Sequence, residues 1–336
     1  MNPRDFISFP ILLLAVLLPI RCRAEFNVTR TIHAGGQGGW DYLTVDPQTH
    51  RLYVPRGTHT MVIDGESGKT LADIPGQKIA HGVAIVHEAG RGFISDGGGA
   101  GAIVIFDLKT NAVLGSIATQ PDTDGIIYDP GTRLVVAVSG DGGTLMTLKP
   151  DIDPKSGKVD PPINLGGAPE FLASDEAGRV FVNLMDKNEV AVFDMKVRKV
   201  VARWPVAPGG APVGMTIDKA KRRILIGCRK PQKLIIMSTQ NGKVIGDLPI
   251  GDHVDAVKMD NGRIFASCGD GTLAVVSETA PGVFKIVQTV KTPQGARTMG
   301  VDPSTHRIYL PTAEPGPPGG KKPGPFIIAV VSQNAA

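Results

Sequence analysis

A short cassette recurs along this chain of 336 residues and constrains its fold more than any other feature. Each copy has an apolar strand, a turn that closes with Arg, and a second apolar strand. The seven turns begin at Asp46, His87, Asp129, Asp175, Asp218, Asp260 and Asp302, so successive copies lie 41 to 46 residues apart. A period near 40–45 residues with several short strands per repeat is typical of β-propeller blades. We therefore predict an all-β, seven-bladed β-propeller.

Each repeat supplies further strand candidates, which are rich in Val and Ile as half-buried strands prefer. The seventh cassette is followed by one such run, 326–331, and no second one. We expect segment 26–32, near the other end of the chain, to provide the fourth strand of the last blade. Such closure removes exposed sheet edges. Helical solenoids have similar periods, but no 11-residue window of the sequence shows a sustained helical period.

The N-terminal residues 1–24 have the features of a secretory signal. Arg4 precedes a mostly apolar run, 6–20, and small residues suitable for signal peptidase occur at 22 and 24. The run is shorter than the roughly 20 apolar residues of a membrane span. We predict cleavage before Glu25, a propeller domain over 25–336, and a periplasmic or extracellular location.

The segments that follow several of the turn-closing arginines share a motif. They read Leu52-Tyr53-Val54-Pro55, Val180-Phe181-Val182-Asn183, Ile264-Phe265-Ala266-Ser267 and Ile308-Tyr309-Leu310-Pro311. In them the chain resembles the YVTN-type, YncE-like propeller repeat family of bacterial exported proteins, from about residue 26 to 332. This resemblance implies blades and export, and it carries over no defined site.

Candidate site residues follow from the position of the inner strands. Ligands of propellers bind where the fourth-to-first and second-to-third strand loops gather around the central channel. Near that mouth, about five positions before each turn, the sequence has carboxylates, two imidazoles and a guanidinium: Asp41, His81, Asp124, Glu170, His253, Asp255 and Arg297. Carboxylates with imidazole suit a divalent cation, whereas carboxylates with Arg suit a polar organic ligand. The alternative is that these side chains only hydrogen-bond loop amides.

The leading functional hypothesis is a monomeric, non-enzymatic binding module for a small polar ligand, a peptide or a protein at this mouth. It needs no cofactor, although a divalent cation stays open. The sequence has no Gly-x-Ser-x-Gly elbow and no His-Glu-x-x-His zinc motif. The first alternative is a metal-assisted hydrolase of the lactonase type, in which Asp41, Glu170, His253 and Asp255 hold the ion that activates water.

The second alternative is single-stranded DNA binding, which requires a basic groove with stacking aromatic residues. Only 5% of the residues are aromatic and the formal net charge is +4, so the composition argues against nucleic acid as a partner. Cys228 and Cys268 follow the signal segment and occupy equivalent positions in neighbouring repeats. A disulfide needs Cα atoms within about 7 Å of each other, which the sequence leaves open.

Overall fold

The computed structural model describes residues 25–36, 38–316 and 323–334. Within these ranges the strands form five antiparallel sheets of four strands and one sheet of seven. The larger sheet contains two blades, because its long strand β5 ends one blade and begins the next. The predicted seven-bladed propeller is therefore confirmed. The predicted signal segment, residues 1–24, lies outside the described residues.

The strands follow the order of the blades around the ring. Strand β1 (Phe26–His33) belongs to blade 7. Blades 1 and 2 contain β2 (Thr44–Asp46), β3 (Arg51–Pro55), β4 (Gly57–Asp64), β5 (Thr70–Val86), β6 (Arg91–Asp96), β7 (Ala102–Asp107) and β8 (Val113–Ala118), with a 3-10 turn at His87–Ala89. Blade 3 contains β9 (Thr123–Asp129), β10 (Leu134–Ser139), β11 (Thr144–Leu148) and β12 (Ile163–Asn164).

The remaining blades have the same order from the inner to the outer strand. Blade 4 contains β13 (Pro169–Ser174), β14 (Arg179–Leu184), β15 (Glu189–Asp194) and β16 (Lys199–Pro205). Blade 5 contains β17 (Pro212–Asp218), β18 (Arg223–Arg229), β19 (Gln232–Ser238) and β20 (Val244–Pro249). Blade 6 contains β21 (Val254–Asp260), β22 (Arg263–Cys268), β23 (Thr272–Ala280) and β24 (Val283–Lys291), and blade 7 adds β25 (Gly300–Asp302), β26 (Arg307–Ala313) and β27 (Phe326–Gln333).

The ring is closed by the N-terminal strand, as the sequence predicted. Strand β1 pairs antiparallel with β27, so that Phe26 lies opposite Gln333 and His33 opposite Ile327. The inner strands β2, β5, β9, β13, β17, β21 and β25 contact one another in sequence, and β25 contacts β2. One end of the described chain thus completes the sheet built by the other.

The hydrophobic core is divided among the blade interfaces. Each of seven buried clusters contains residues of two neighbouring blades. Between blades 1 and 2, for example, the rings of Tyr53 and Phe106 lie 5.5 Å apart. Because both faces of a blade are covered by neighbours, its middle strands are continuously apolar and buried. Outer strands such as β16 instead alternate between exposed and half-buried residues.

The acidic turn of the repeat links neighbouring blades. The carboxylate of Asp302, which is fully buried, accepts hydrogen bonds from the backbone amide of Ser304 and from Nδ1 of His50 in blade 1, at 2.9 and 2.7 Å. His306 and Asp260 make the equivalent bond between blades 7 and 6, at 2.8 Å. Buried acceptors of this kind are stable only when they are hydrogen-bonded, so the turn and the interface depend on the same carboxylate.

Two other features of the described residues bear on the sequence predictions. Cys228 and Cys268 are both buried and both free, so they form no disulfide with each other. No helix in the described ranges has the length and apolar character that crossing a membrane requires.

Candidate functional site

The inner strands bring most of the predicted residues to one mouth of the central channel. Asp124, Glu170 and Asp255 each occupy the second position of an inner strand, β9, β13 and β21 respectively. Asp41 precedes β2, and His81 lies within β5 where that strand begins blade 2. Equivalent positions of successive blades lie at the same level of a propeller, so these side chains converge.

His81 is the centre of the first group. Its Nδ1 lies 2.8 Å from Oδ2 of Asp41 and 3.6 Å from Oδ1 of Asp124, and its Nε2 lies 3.8 Å from Oδ1 of Asp122. Two buried atoms of this group, Nε2 of His81 and Oδ1 of Asp124, have no hydrogen-bond partner among the described residues. The network is therefore incomplete, and an incoming group can satisfy it.

The charges of this group are set by burial and by the neighbouring acids. Burial acts to lower the pKa of His81, but the hydrogen bond to Asp41 and the charges of Asp124, Asp41 and Asp122 outweigh it and raise that pKa to about 9. Burial raises the pKa of Asp124 well above its usual range, and the charge of His81 opposes that rise. His81 is thus an imidazolium at neutral pH.

Two arginines hold Asp255 on the other side of the mouth. Arg229 donates a hydrogen bond through Nη2 to Oδ1 at 2.6 Å, and Arg297 forms an ion pair in which its Nε lies 2.8 Å from Oδ2. Arg229 also donates through Nε to the carbonyl of Val254 at 3.1 Å. Burial raises the pKa of Asp255 despite both guanidinium groups. Arg229 was not among the residues predicted from the sequence, although it ends β18 and therefore faces the same mouth.

Glu170 differs from the other acids because no hydrogen bond or ion pair is formed by its side chain among the described residues. Burial is the main cause that raises its pKa to about 7, with Arg229 opposing that rise and Asp255 and Asp41 adding to it. At neutral pH this carboxyl is therefore divided between its neutral and its charged form. It is available to bind a ligand.

An aromatic pair meets across the channel next to the mouth residues. Tyr42 of blade 1 and Phe171 of blade 4 project from opposite sides of the ring, and their ring centroids lie 4.6 Å apart. Burial, followed by the charges of Asp255 and Asp124, raises the pKa of the Tyr42 hydroxyl well above its usual value. Each aromatic residue directly follows a predicted mouth residue in the sequence, which is the signal that could have identified the pair. The mouth is a cup with an aromatic floor.

His253 is the one predicted residue that the structure does not bring into these groups. It has a left-handed backbone conformation with φ of 55°, and its side chain is 73% exposed. Its Nδ1 lies 3.3 Å from a carboxylate oxygen of the adjacent Asp252. The four residues expected to hold a catalytic metal ion therefore do not converge.

A different group has the spacing of a metal site. In the described part of the chain, potential ligand atoms of Asp41, His81 and Asp124 all lie within 4.8 Å of one another. A metal ion requires the neutral imidazole, whereas these acids hold His81 in its protonated form. A metal ion bound there would displace that proton, so its affinity would rise with pH, and the spacing suits both a divalent cation and a cationic organic ligand.

Comparison with known proteins supports the fold and leaves the site unassigned. No protein-family model and no curated protein matches the sequence. The structure is similar to hydrazine synthase of Kuenenia stuttgartiensis, with a TM-score of 0.70 and 12% identity over 82% of this chain and 93% of that one. It is also similar to a chain of a mitotic checkpoint complex, with a TM-score of 0.76 and 12% identity over 98% and 99%. Both are β-propeller proteins, and the similarity at this identity concerns the fold alone.

Proposed function

We propose that this chain is an exported, non-enzymatic binding module whose channel mouth takes a ligand with a cationic group. The observation that carries this proposal is a set of acceptors in the cup that have no hydrogen-bond partner among the described residues: Oδ1 of Asp124 and the carboxyl of Glu170. The partner is a small amine or guanidine, or a Lys or Arg side chain on a peptide or protein loop.

The charge balance of the mouth supports a cationic ligand. Carboxylates outnumber the cations there, and two of those cations, Arg229 and Arg297, are already engaged by Asp255. Oxygens of Asp124 and Glu170 can therefore accept from an ammonium or guanidinium group, and charge-assisted hydrogen bonds of this kind are the strong ones. The aromatic floor of Tyr42 and Phe171 adds a surface that attracts cations.

A peptide or protein partner is consistent with the fold. The mitotic checkpoint complex is by its name an assembly, and the propeller chain in it is similar to this one over nearly the whole length. The acidic mouth argues against single-stranded DNA, because phosphates bind basic surfaces. Export rests on the signal features of residues 1–24 and on the resemblance to YVTN-type repeats. N-terminal sequencing of the protein from its native host should give Glu25 as the first residue.

Calorimetric titration with putrescine, agmatine and the peptide Gly-Lys-Gly, in buffer with EDTA, tests the proposed ligand class. We expect at least one probe to bind, and Asp124→Asn and Glu170→Gln to weaken its binding tenfold or more. Those substitutions keep the side-chain volume, so thermal unfolding should show a folded ring. His253→Gln is the matched control, because this exposed side chain lies outside the cup, and it should bind as the wild type does.

Two results would contradict the proposal. One is that none of the three cations binds in the millimolar range. The other is that Asp124→Asn and Glu170→Gln bind as tightly as the wild type. Elemental analysis of protein purified without EDTA distinguishes the binding module from the hydrolase alternative. The hydrolase requires a stoichiometric divalent metal ion, and it must also turn over lactones.

A further inference from the structure

The channel continues below the aromatic floor as a second compartment. It is a cavity of about 250 Å³ whose lining is about equally polar and apolar, and its apolar part is formed by Leu43, Val45, Met259, Val301 and Pro303. Pro303 belongs to the turn between β25 and β26, so this compartment reaches toward the face opposite the mouth. The aromatic pair lies beside both regions, because Tyr42 and Phe171 line a small pocket together with Asp255 and Lys258.

Lys258 is the cationic side chain that lines this cavity, together with Thr44 and Thr216. It lies on β21, and its Nζ is 5.1 Å from the ring centroid of Phe171. Among the described residues it has no ion-pair or hydrogen-bond partner. Lys258 is half-buried, so its ammonium group loses part of its hydration without gaining a counter-ion, which favours the neutral amine, whereas the face of the Phe171 ring favours the cation.

The titratable groups near Lys258 do not compensate its charge. Asp255 lies on the same strand, but its two oxygens are bound by Arg229 and Arg297. The Tyr42 hydroxyl stays neutral, because burial raises its pKa. Burial alone lowers the pKa of Lys258 to about 8, whereas an unperturbed lysine has a pKa of about 10.4. About half of the Lys258 side chains are therefore neutral at pH 8, against less than about 1% for an exposed lysine.

We propose that Lys258 is a reactive amine that condenses with small uncharged aldehydes entering this cavity. The amine lone pair attacks the carbonyl carbon to give a carbinolamine. Loss of one water molecule then forms the C=N bond of an imine, so that amine and aldehyde are converted into imine and water. A desolvated lysine in an apolar pocket is a suitable nucleophile for this reaction. The apolar part of the lining, which includes Leu43, Val45 and Met259, can contact the hydrocarbon body of such an aldehyde.

Reductive trapping tests this proposal independently of the cationic ligand. The folded protein is incubated with propanal and sodium cyanoborohydride at pH 8, and the modified lysines are quantified by peptide mass mapping. We expect Lys258 to be modified at least tenfold faster than Lys199 and Lys291, which are exposed lysines of the same chain. Unfolding in urea should abolish that difference, because it removes the burial on which the reactivity depends.

Equal or slower modification of Lys258 in the folded protein would overturn the proposal, whether the cause is low reactivity or lack of access. The comparison within one chain needs no variant, so it does not depend on whether a substituted protein folds. Lys258→Met serves as a second measurement, and it should remove the fast phase of modification while leaving Lys199 and Lys291 unchanged. Binding of cationic probes at the mouth is a separate property, so either proposal can fail without the other.

Discussion

Replacing His81 with glutamine tests the electrostatic description of the mouth. In the wild type the imidazolium lies 2.8 Å from Asp41 and 3.6 Å from Asp124, and its side chain is 17% exposed. Its pKa rises from 6.5 to about 9 on folding. A group whose folded pKa is raised stabilises the fold fully below its unfolded pKa. That contribution disappears as the pH rises through the folded pKa.

The size of the effect follows from the shift. About 2.5 pKa units at about 1.4 kcal/mol each give roughly 3 kcal/mol as an upper estimate of the stabilisation that His81 provides at pH 6. His81→Gln removes this contribution and leaves Asp41 and Asp124 without a cation. The difference in free energy of unfolding between wild type and variant should therefore be largest near pH 6. It should shrink by about 3 kcal/mol on going to pH 10.

Urea unfolding between pH 6 and 10, in buffer with EDTA, measures this difference. His253→Gln is the matched control, because His253 is 73% exposed and lies outside the His81 group. Its stability curve should run parallel to that of the wild type. A constant difference between wild type and His81→Gln over the whole pH range would refute the reasoning, since it would mean that folding does not shift the pKa of His81.

Three further predictions concern the closure, the thiols and the mouth. Phe26→Ala should lower the free energy of unfolding in urea by about 3–5 kcal/mol, because Phe26 is buried between blades 6 and 7. The control Val28→Ala, at a position 37% exposed, should lower it by less than about 1 kcal/mol. Equal losses in the two variants would contradict the role of the closing strand. Cys228 and Cys268 should react with Ellman's reagent only after unfolding, since burial raises both pKa values to about 12, and rapid reaction of the native protein would count against this. Binding of a cationic probe should weaken as the pH falls through about 7, where Glu170 becomes protonated. The Glu170→Gln variant should lack this change in affinity. If the change persists in that variant, another group causes it.

The architecture could be predicted from the sequence because it depends on local patterns. The turn that begins with Asp or His and closes with Arg recurs at nearly constant spacing, and apolar strands flank it in every copy. The absence of a fourth strand after 326–331 was enough to predict that segment 26–32 closes the ring, which the pairing of β1 with β27 confirms. These features require only the period of the repeat and the preference of Val and Ile for buried strands.

The height of a residue along the channel could also be predicted, because it follows from the number of positions before each turn. The residues predicted in this way to lie at one mouth include Asp41, His81, Asp124, Glu170, Asp255 and Arg297. The contacts across the channel were not predictable, because they join distant blades and depend on the radius of the ring. Two such contacts are the ring contact of Tyr42 with Phe171 and the ion pairs of Asp255 with Arg229 and Arg297. Likewise, His253 has the expected position in the sequence, but its left-handed backbone leaves its side chain exposed.

The sequence by itself thus determined the blades, their number, their order and the strand that closes them, since each follows from short-range alternation and a repeated turn. Only the tertiary structure decided which charged groups meet, which acceptors lack hydrogen-bond partners and that Lys258 lies against the ring of Phe171. The physical reason is that burial and charge interactions depend on distances of a few ångströms between residues from different blades. Spacing along a single chain does not encode those distances.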